Sequence, residues 1–117
     1  MSKDTVMTVS FQLYGQQFVA LNGGPEYKFS PAISFVVNCD SQEEVDDFWV
    51  KLSEGGQVVQ CGWLTDKFGL SWQVTPKILP EMLADPDKAK VQRVMTAMMG
   101  MIKIDIEALK RAQENAG

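Results

Sequence analysis

Few residues of this chain are of the types that take part in catalysis or bind metals. It contains no histidine, which argues against Ser-His-Asp and Cys-His catalysis and against any histidine-based zinc or iron site. Its two cysteines, Cys39 and Cys61, lack CxxC spacing, so they predict neither a disulfide nor a metal site. Cys61 also has no histidine base and no evident activating cation in the sequence. We therefore expect both cysteines to be spectator thiols.

Adjacent acidic residues could act as paired carboxylates in general acid/base catalysis. Glu43-Glu44 and Asp46-Asp47 both fall in the first turns of a predicted helix. Carboxylates there interact favourably with the positive end of the helix dipole and face solvent. We therefore interpret these pairs as helix-stabilising and not as catalytic.

The N-terminal third of the sequence predicts a β-hairpin. Residues Thr5–Leu13 alternate, with one apolar face and one polar face, which is typical of a half-buried strand. The apolar face of that strand comprises Val9, Phe11 and Leu13. A turn over residues 14–17 leads to a returning strand, Phe18–Leu21. Glycine and proline then predict a loop up to Pro31.

The middle of the chain predicts a β-α-β-turn-β succession. A strand over Ala32–Asn38 precedes Ser41-Gln-Glu-Glu44, which fits a capping box. The helix that follows has one apolar face with i, i+3, i+4, i+7 spacing, formed by Val45, Phe48, Trp49 and Leu52, and Gly55-Gly56 ends it. Strands are then expected at residues 57–61, near 62–64 and at 70–75.

The C-terminal third predicts helices. A short one covers Ile78–Ala84, and Asp85-Pro86 fits an N-cap with proline at the first helical position. Asp105 is the predicted cap of a last helix. The helix between them carries a soft apolar stripe, typical of core or interface packing: Val91, Val94, Met95, Met98 and Ile102.

The composition and net charge of the chain argue against several classes of binding partner. The 117 residues suffice for one domain, and the net charge of −4 with no basic run argues against nucleic acid and against an anionic membrane surface. No apolar run approaches the roughly 18 residues of a membrane helix, and the first residues do not read as a signal peptide. We expect a cytoplasmic protein.

Seven short motifs stand out along the chain: ALNGGP at Ala20–Pro25, Ser34-Phe, Asn38-Cys, EEVDxxW at Glu43–Trp49, Gly55-Gly, CGWLxDKFGxSWQV at Cys61–Val74, and Asp85-Pro. Together they resemble the PhnB-like branch of the glyoxalase, or vicinal-oxygen-chelate, superfamily, whose members often carry the name 3-demethylubiquinone-9 3-methyltransferase. The resemblance covers nearly the whole chain from about residue 6 to 112.

This resemblance implies an α+β fold with a curved βαβββ sheet. It divides a single domain, 1–117, into a remnant of a first module (5–31), a complete second module (32–76) and a helical tail (77–117). The first module then lacks its N-terminal strand and helix, which leaves sheet edges open. Because an unpaired edge is a template for another chain, we predict a homodimer.

The resemblance also bears on cofactors. The superfamily's metal-ligand positions fall on Val19, Ala32 and Gln73, and valine and alanine cannot coordinate a metal. We therefore expect no metal and no cofactor. The methyltransferase name also lacks support, because neither Gly23-Gly24 nor Gly55-Gly56 opens a helix after a strand, as a nucleotide-binding glycine loop does.

A ligand, if there is one, is expected in the cleft of the second module. The candidate residues there are Ser34, Cys61, Trp63, Ser71 and Gln73. Each has a simpler interpretation, since Gln73 can be a satisfied polar group of the sheet and Trp63 a core residue. Two functions stay open: a metal-free small-molecule-binding or assembly module, and a metal-independent enzyme whose site is completed across a dimer. A third alternative is a remnant that folds but has no activity.

Overall fold

The computed structural model describes residues 6–115, so Thr5, the predicted start of the first strand, lies outside the described residues. The elements in chain order are β1 (Thr8–Leu13), β2 (Gln16–Leu21), β3 (Ser34–Cys39), α1 (Gln42–Ser53), β4 (Gln57–Val58), β5 (Trp63–Thr65), β6 (Ser71–Pro76), α2 (Ile78–Leu83), α3 (Lys88–Met99) and α4 (Ile106–Glu114). None of the helices between residues 6 and 115 is long and apolar enough to cross a membrane.

A four-stranded sheet with the order β3-β6-β5-β4 forms the centre of the molecule. β3 and β6 are parallel, whereas the other neighbours are antiparallel. Helix α1 covers one face and builds a core there from Val37, Cys39, Val45, Trp49, Leu64 and Val74. The predicted succession of strand, helix and three strands is confirmed. β4 is shorter than predicted because the chain turns at Cys61 and Gly62, which both have positive φ.

The start of α1 confirms the predicted capping box. The backbone N–H of Glu44 donates to the Ser41 hydroxyl oxygen at 3.2 Å. The Glu44 carboxylate in turn accepts from the backbone N–H of Asp40 at 2.9 Å. Glu44 thus reaches one residue beyond the cap itself. Helix α1 ends at Ser53, and Glu54 leads to Gly55. The φ of Gly55, 75°, is accessible to glycine without strain.

The three C-terminal helices form a second core around Val94, with Leu79, Met82, Ile104 and Leu109. The predicted cap at Asp85 is wrong, because Asp87 caps α3 by accepting from the Ala89 and Lys90 N–H groups. Asp85 instead accepts from the Asp87 N–H at 2.8 Å, which holds the turn before the helix. The predicted Asp105 cap is confirmed.

The predicted apolar stripe on α3 is only partly buried. Val94 is fully buried, while Met95 is 39% exposed. Ile102 lies beyond the end of the helix at Met99 and is 53% exposed. The stripe is therefore not a continuous buried face, because the chain leaves helical geometry before it reaches Ile102.

β1 and β2 form the predicted hairpin as a separate two-stranded sheet. Its turn needs only Tyr14 and Gly15, with φ of 51° and 80°, so β2 begins at Gln16, inside the turn expected from sequence. The expectation that β1 is half-buried is wrong for a single chain. Its apolar face is exposed, with Val9 at 52%, Phe11 at 38% and Leu13 at 37%.

The molecule is elongated, measuring 64 × 26 × 23 Å. Its radius of gyration of 17.6 Å exceeds the roughly 13 Å expected of a compact chain of this length. The hairpin meets the four-stranded sheet through Phe18, whose ring lies 5.5 Å from that of Phe35. The elongation explains why an alternating, apolar strand remains exposed: residues 6–115 supply no layer to cover it.

Candidate functional site

The candidate site lies on the face of the four-stranded sheet that α1 does not cover. Side chains alternate along a strand, and Val37, Leu64 and Val74 point to α1. Their neighbours therefore point the other way, and we call this opposite side the open face. The strand residues of the open face are Ser34, Val36, Asn38, Trp63, Thr65, Ser71, Gln73 and Thr75.

Ser34 and Gln73 form a hydrogen-bonded pair on the open face. The Gln73 side-chain amide donates to the Ser34 hydroxyl oxygen at 3.0 Å. Trp63 lies opposite Gln73 in the β5–β6 register, and all three side chains are half-buried. The structure thus brings together a hydroxyl, an amide and an indole. This set can accept and donate hydrogen bonds beside a flat apolar surface.

The other two residues predicted for the cleft are placed differently. Ser71 lies between Ser34 and Thr65 in register, but it is only 2% exposed. Cys61 precedes β5 and is held by its backbone, whose N–H donates to the carbonyl of Met101 at 2.8 Å. Cys61 therefore lies where the loop after α3 joins the sheet, and Ser34, Trp63 and Gln73 form the centre of the candidate site.

The two cysteines are free thiols in different surroundings. Cys39 is fully buried in the α1 core, and this burial, together with the nearby Glu44 and Asp40 carboxylates, raises its pKa to about 11. Lys77 opposes this shift only weakly. Cys61 is half-buried, so reagents reach it more easily.

This difference predicts the thiol reactivity of the native protein. We expect iodoacetamide at pH 8 to alkylate Cys61 and to leave Cys39 intact, because the reactive thiolate of Cys39 is scarce and shielded. Intact-mass spectrometry should show one modification in native protein and two in urea. Modification of Cys39 at the same rate as Cys61 would contradict the buried position of β3.

The residues at the superfamily's metal-ligand positions do not fit a metal. Val19 is an apolar side chain that is 65% exposed, and Ala32 lies in the turn before β3. Gln73, which alone carries a donor atom, is engaged with Ser34. Across residues 6–115, no group of three histidine, cysteine, aspartate or glutamate side chains could hold an ion.

The residues also do not fit the usual nucleotide-type cofactor loop. Such a loop follows a strand and opens a helix, so that backbone N–H groups face the ligand. Gly23-Gly24 follows β2 but leads through Pro25 into an irregular segment, and Gly55-Gly56 follows the end of α1. Neither glycine pair therefore stands at a helix N-terminus.

A groove that the sequence analysis missed runs along the outer edge of β3. It has a volume of about 430 Å³ and lies between β3, α1 and the tip of the hairpin. Its lining is almost entirely apolar: Leu13, Tyr14, Phe18, Ser34, Phe35, Val36, Val37, Phe48, Leu52 and Trp72. The aromatic residues were visible in the sequence, but their meeting depends on how three separate elements pack.

Comparisons with known proteins give one family description, from a sequence model and from a solved structure. A sequence model of the family described as 3-demethylubiquinone-9 3-methyltransferase matches residues 1–75. The structure is similar to that of a PhnB protein from Bacillus cereus that carries the same description, with TM-score 0.57, 34% identity and 62% of this chain covered. It is also similar to protein PA1353 from Pseudomonas aeruginosa, with TM-score 0.54, 25% identity and 64% covered. This chain spans 65% of the length of each. A search among curated proteins finds no match.

Proposed function

Because the chain belongs to the PhnB-like 3-demethylubiquinone-9 3-methyltransferase family, with its glyoxalase-type α+β fold, we propose that it is a metal-free small-molecule-binding protein of that fold. The observation that carries this proposal is the Ser34–Gln73 pair beside Trp63 on the open face. We also propose that the protein acts in the cytoplasm, because its reducing conditions keep cysteines such as Cys39 and Cys61 as thiols. The methyltransferase name is not part of the proposal, because the glycine pairs do not fit such a cofactor.

The open face favours a neutral, planar ligand. Its strand residues include no charged side chain, so a charged ligand would lose hydration without gaining an ion pair. The Ser34 hydroxyl can still donate its proton, and the Gln73 carbonyl oxygen can still accept. Trp63 adds an aromatic surface suited to stacking. A flat molecule with one donor and one acceptor therefore matches the chemistry of these three residues.

We further propose that the protein acts as a homodimer assembled through its open sheet edges. The support is the free edge of β3 and the exposed apolar face of β1. Exposed apolar surface of this extent is uncommon on a monomer, and an uncovered strand edge invites pairing. Light scattering should then give a mass near twice 13.0 kDa.

The second candidate function is a metal-independent enzyme with a site completed across the dimer. An active site of that kind needs an acid, base or thiol with a shifted pKa. The groups with shifted pKa values among residues 6–115 are Cys39, Asp46 and Lys77. The pKa of Asp46 is lowered by hydrogen bonds from Lys103 and Gln42, and that of Lys77 is raised by Asp40. Cys39 lies in the core beneath α1 and Asp46 lies on α1, so neither is on the open face. Lys77 follows the end of β6 and is paired with Asp40. This arrangement favours binding over catalysis.

The binding proposal predicts a loss of affinity when the amide is removed. Uracil, nicotinamide and 2-pyridone are suitable neutral probes, and we expect at least one to raise the melting temperature. Gln73→Leu should weaken that probe about tenfold, which corresponds to one lost hydrogen bond of about 1.4 kcal/mol. Titration calorimetry measures the change.

The matched control is Gln92→Leu, a glutamine on the exposed side of α3 that bonds only Thr96 by its side chain within the described chain. It should bind the probe like the unaltered protein. Equal affinity of the Gln73→Leu variant would place the ligand elsewhere. Binding of anionic analogues alone would contradict the neutral site.

A further inference from the structure

The segment between α3 and α4 connects the C-terminal helices to the strand that carries Trp63. We call residues 101–106, which run from the end of α3 into the first residue of α4, the tail link. We propose that the tail link positions Trp63 for ligand binding and that Gln42 on α1 holds the tail link in place. This inference rests on the proposed binding function, and it adds a positioning residue that lies away from the open face.

Helices α2, α3 and α4 form a unit of their own beside the sheet. They pack mainly on one another, and within residues 6–115 their core around Val94 shares no member with the core beneath α1. All three helices also follow residues 1–75, the part of the chain that the family model matches. Their placement against the sheet therefore depends largely on the connection at Lys77 and on the contacts of the tail link.

The first end of the tail link is hydrogen-bonded to the turn that leads into Trp63. This turn bends at Cys61 and Gly62, whose φ values are 60° and 82°. The backbone N–H of Cys61 donates to the carbonyl of Met101 at 2.8 Å. The backbone N–H of Gly62 donates to the carbonyl of Ile102, also at 2.8 Å. The turn before β5 is therefore held by two successive carbonyl groups of the tail link.

Gly62 joins the tail link to β6 as well. Its carbonyl accepts from the backbone N–H of Val74 at 2.8 Å, and Val74 follows Gln73 in β6. The buried Ile104 side chain packs against Gly62 so closely that a Cβ atom there would lie 3.0 Å from Ile104 Cγ1. The tail link thus fixes the backbone just before Trp63, which lies opposite Gln73 in register. Release of the tail link would let the indole move relative to the Gln73 amide.

Gln42 fastens the second end of the tail link to α1. Its side-chain amide donates to the carbonyl of Ile104 at 3.0 Å, and its amide oxygen accepts from the Ile106 N–H at 2.8 Å. The same amide donates to the Asp46 carboxylate at 2.9 Å. Gln42 is half-buried, so its removal would leave two polar backbone groups of the tail link without their partner.

An ion pair between Lys103 and Asp46 also joins the tail link to α1, at 2.9 Å. Its side chains are 41% and 47% exposed, and ion pairs this open to solvent contribute little to stability. The amide of Gln42 is therefore the stronger attachment, and Lys103→Met is a control that removes only the weaker one.

Substitution of Gln42 tests the positioning of Trp63. Fluorine NMR of protein labelled with 5-fluorotryptophan reports on each of the three tryptophans, and Trp63→Phe assigns the resonance of Trp63. We expect Gln42→Leu to shift or broaden that resonance and to leave the resonance of Trp72 in place. Gln42→Leu should also weaken the neutral probe that binds the unaltered protein, by about threefold to tenfold in titration calorimetry. Lys103→Met should change neither quantity.

Ile106→Pro removes the same contact from the other side. Ile106 is the first residue of α4, and the cap before it, Asp105, has an extended backbone, so proline is tolerated there. We expect Ile106→Pro to change the Trp63 resonance and the probe affinity as Gln42→Leu does. Ile106→Ala keeps the N–H and should not. In combination with Gln42→Leu, Ile106→Pro should add little, because the hydrogen bond is already lost.

The outcomes separate this inference from the proposed function. No probe binding by the unaltered protein, with the expected change in the Trp63 resonance, would overturn the binding function and support the positioning of Trp63. Folded Gln42→Leu and Ile106→Pro variants that lose stability in urea but keep the Trp63 resonance or the probe affinity would overturn the inference. Equal effects of Ile106→Pro and Ile106→Ala would also overturn it. If Gln42→Leu does not fold, Ile106→Pro decides.

Discussion

Replacing Gly56 with alanine is expected to lower the free energy of unfolding by more than about 3 kcal/mol, at or above the upper end of the usual cost of overpacking. A Cβ atom at this position would overlap the carbonyl oxygen of Thr65 and lie 2.7 and 2.9 Å from the Asp66 carbonyl carbon and Cα. These are backbone atoms, which no side-chain rotation can move away. The close approach of the α1–β4 connection to β5 therefore requires glycine.

Urea unfolding followed by tryptophan fluorescence measures this loss. The matched control is Gly23→Ala, where the nearest atom to the added Cβ is Leu21 Cδ2 at 3.9 Å. We expect that variant to stay within about 0.5 kcal/mol of the unaltered protein. An equal, small change in both variants would contradict the contact between residue 56 and β5.

Local signals explain why much of the fold could be predicted from sequence. The Ser41 capping box and the Asp105 cap each depend on a few adjacent residues, and both were placed correctly. The Asp85-Pro86 cap was misplaced because a second acidic residue, Asp87, follows at once and can cap as well. A pattern two residues long could not decide which aspartate accepts the helix N–H groups.

The hairpin shows what an alternating pattern of apolar and polar residues cannot predict. Val9, Phe11 and Leu13 indicate a face that gains by burial, but alternation does not say which layer covers it. In the described part of the chain, residues 6–115, no layer does. The exposure of this face explains why the predicted burial of β1 was wrong. It also supports the proposed homodimer, because a second chain can supply the layer that covers the face.

The sequence could predict which face of the sheet carries the candidate site, but not which side chains contact each other there. Strand alternation placed Ser34 with Gln73, away from Trp72 and Val74, and the register agrees. The hydrogen bond between the Ser34 and Gln73 side chains depends on two strands 39 residues apart and on their parallel pairing. The groove was missed for the same reason, because Phe18, Phe35 and Trp72 meet only after the hairpin has packed.

Asp66 is expected to be the position with the second largest effect of substitution on stability, because its carboxylate accepts three hydrogen bonds. Its Oδ1 accepts from the backbone N–H groups of Phe68 and Leu70 at 2.9 and 3.0 Å, and its Oδ2 accepts from the Trp72 indole N–H at 2.9 Å. The carboxylate thus holds the β5–β6 turn and fixes a ring that lines the groove. Asp66→Ala should cost about 2–3 kcal/mol in urea unfolding, since hydrogen bonds to charged groups are the stronger ones.

Asp66→Asn separates the two parts of this interaction. Its Oδ1 can still accept from Phe68 and Leu70, but its amide nitrogen faces the Trp72 N–H, where donor meets donor. We expect an intermediate loss, and a double-mutant cycle with Trp72→Phe should give a coupling of about 1 kcal/mol between Asp66 and the indole. Zero coupling would mean that Asp66 acts only on the turn. A coupling of the expected size would show that one carboxylate fixes both the turn packed against Gly56 and the aromatic floor of the groove beside β3.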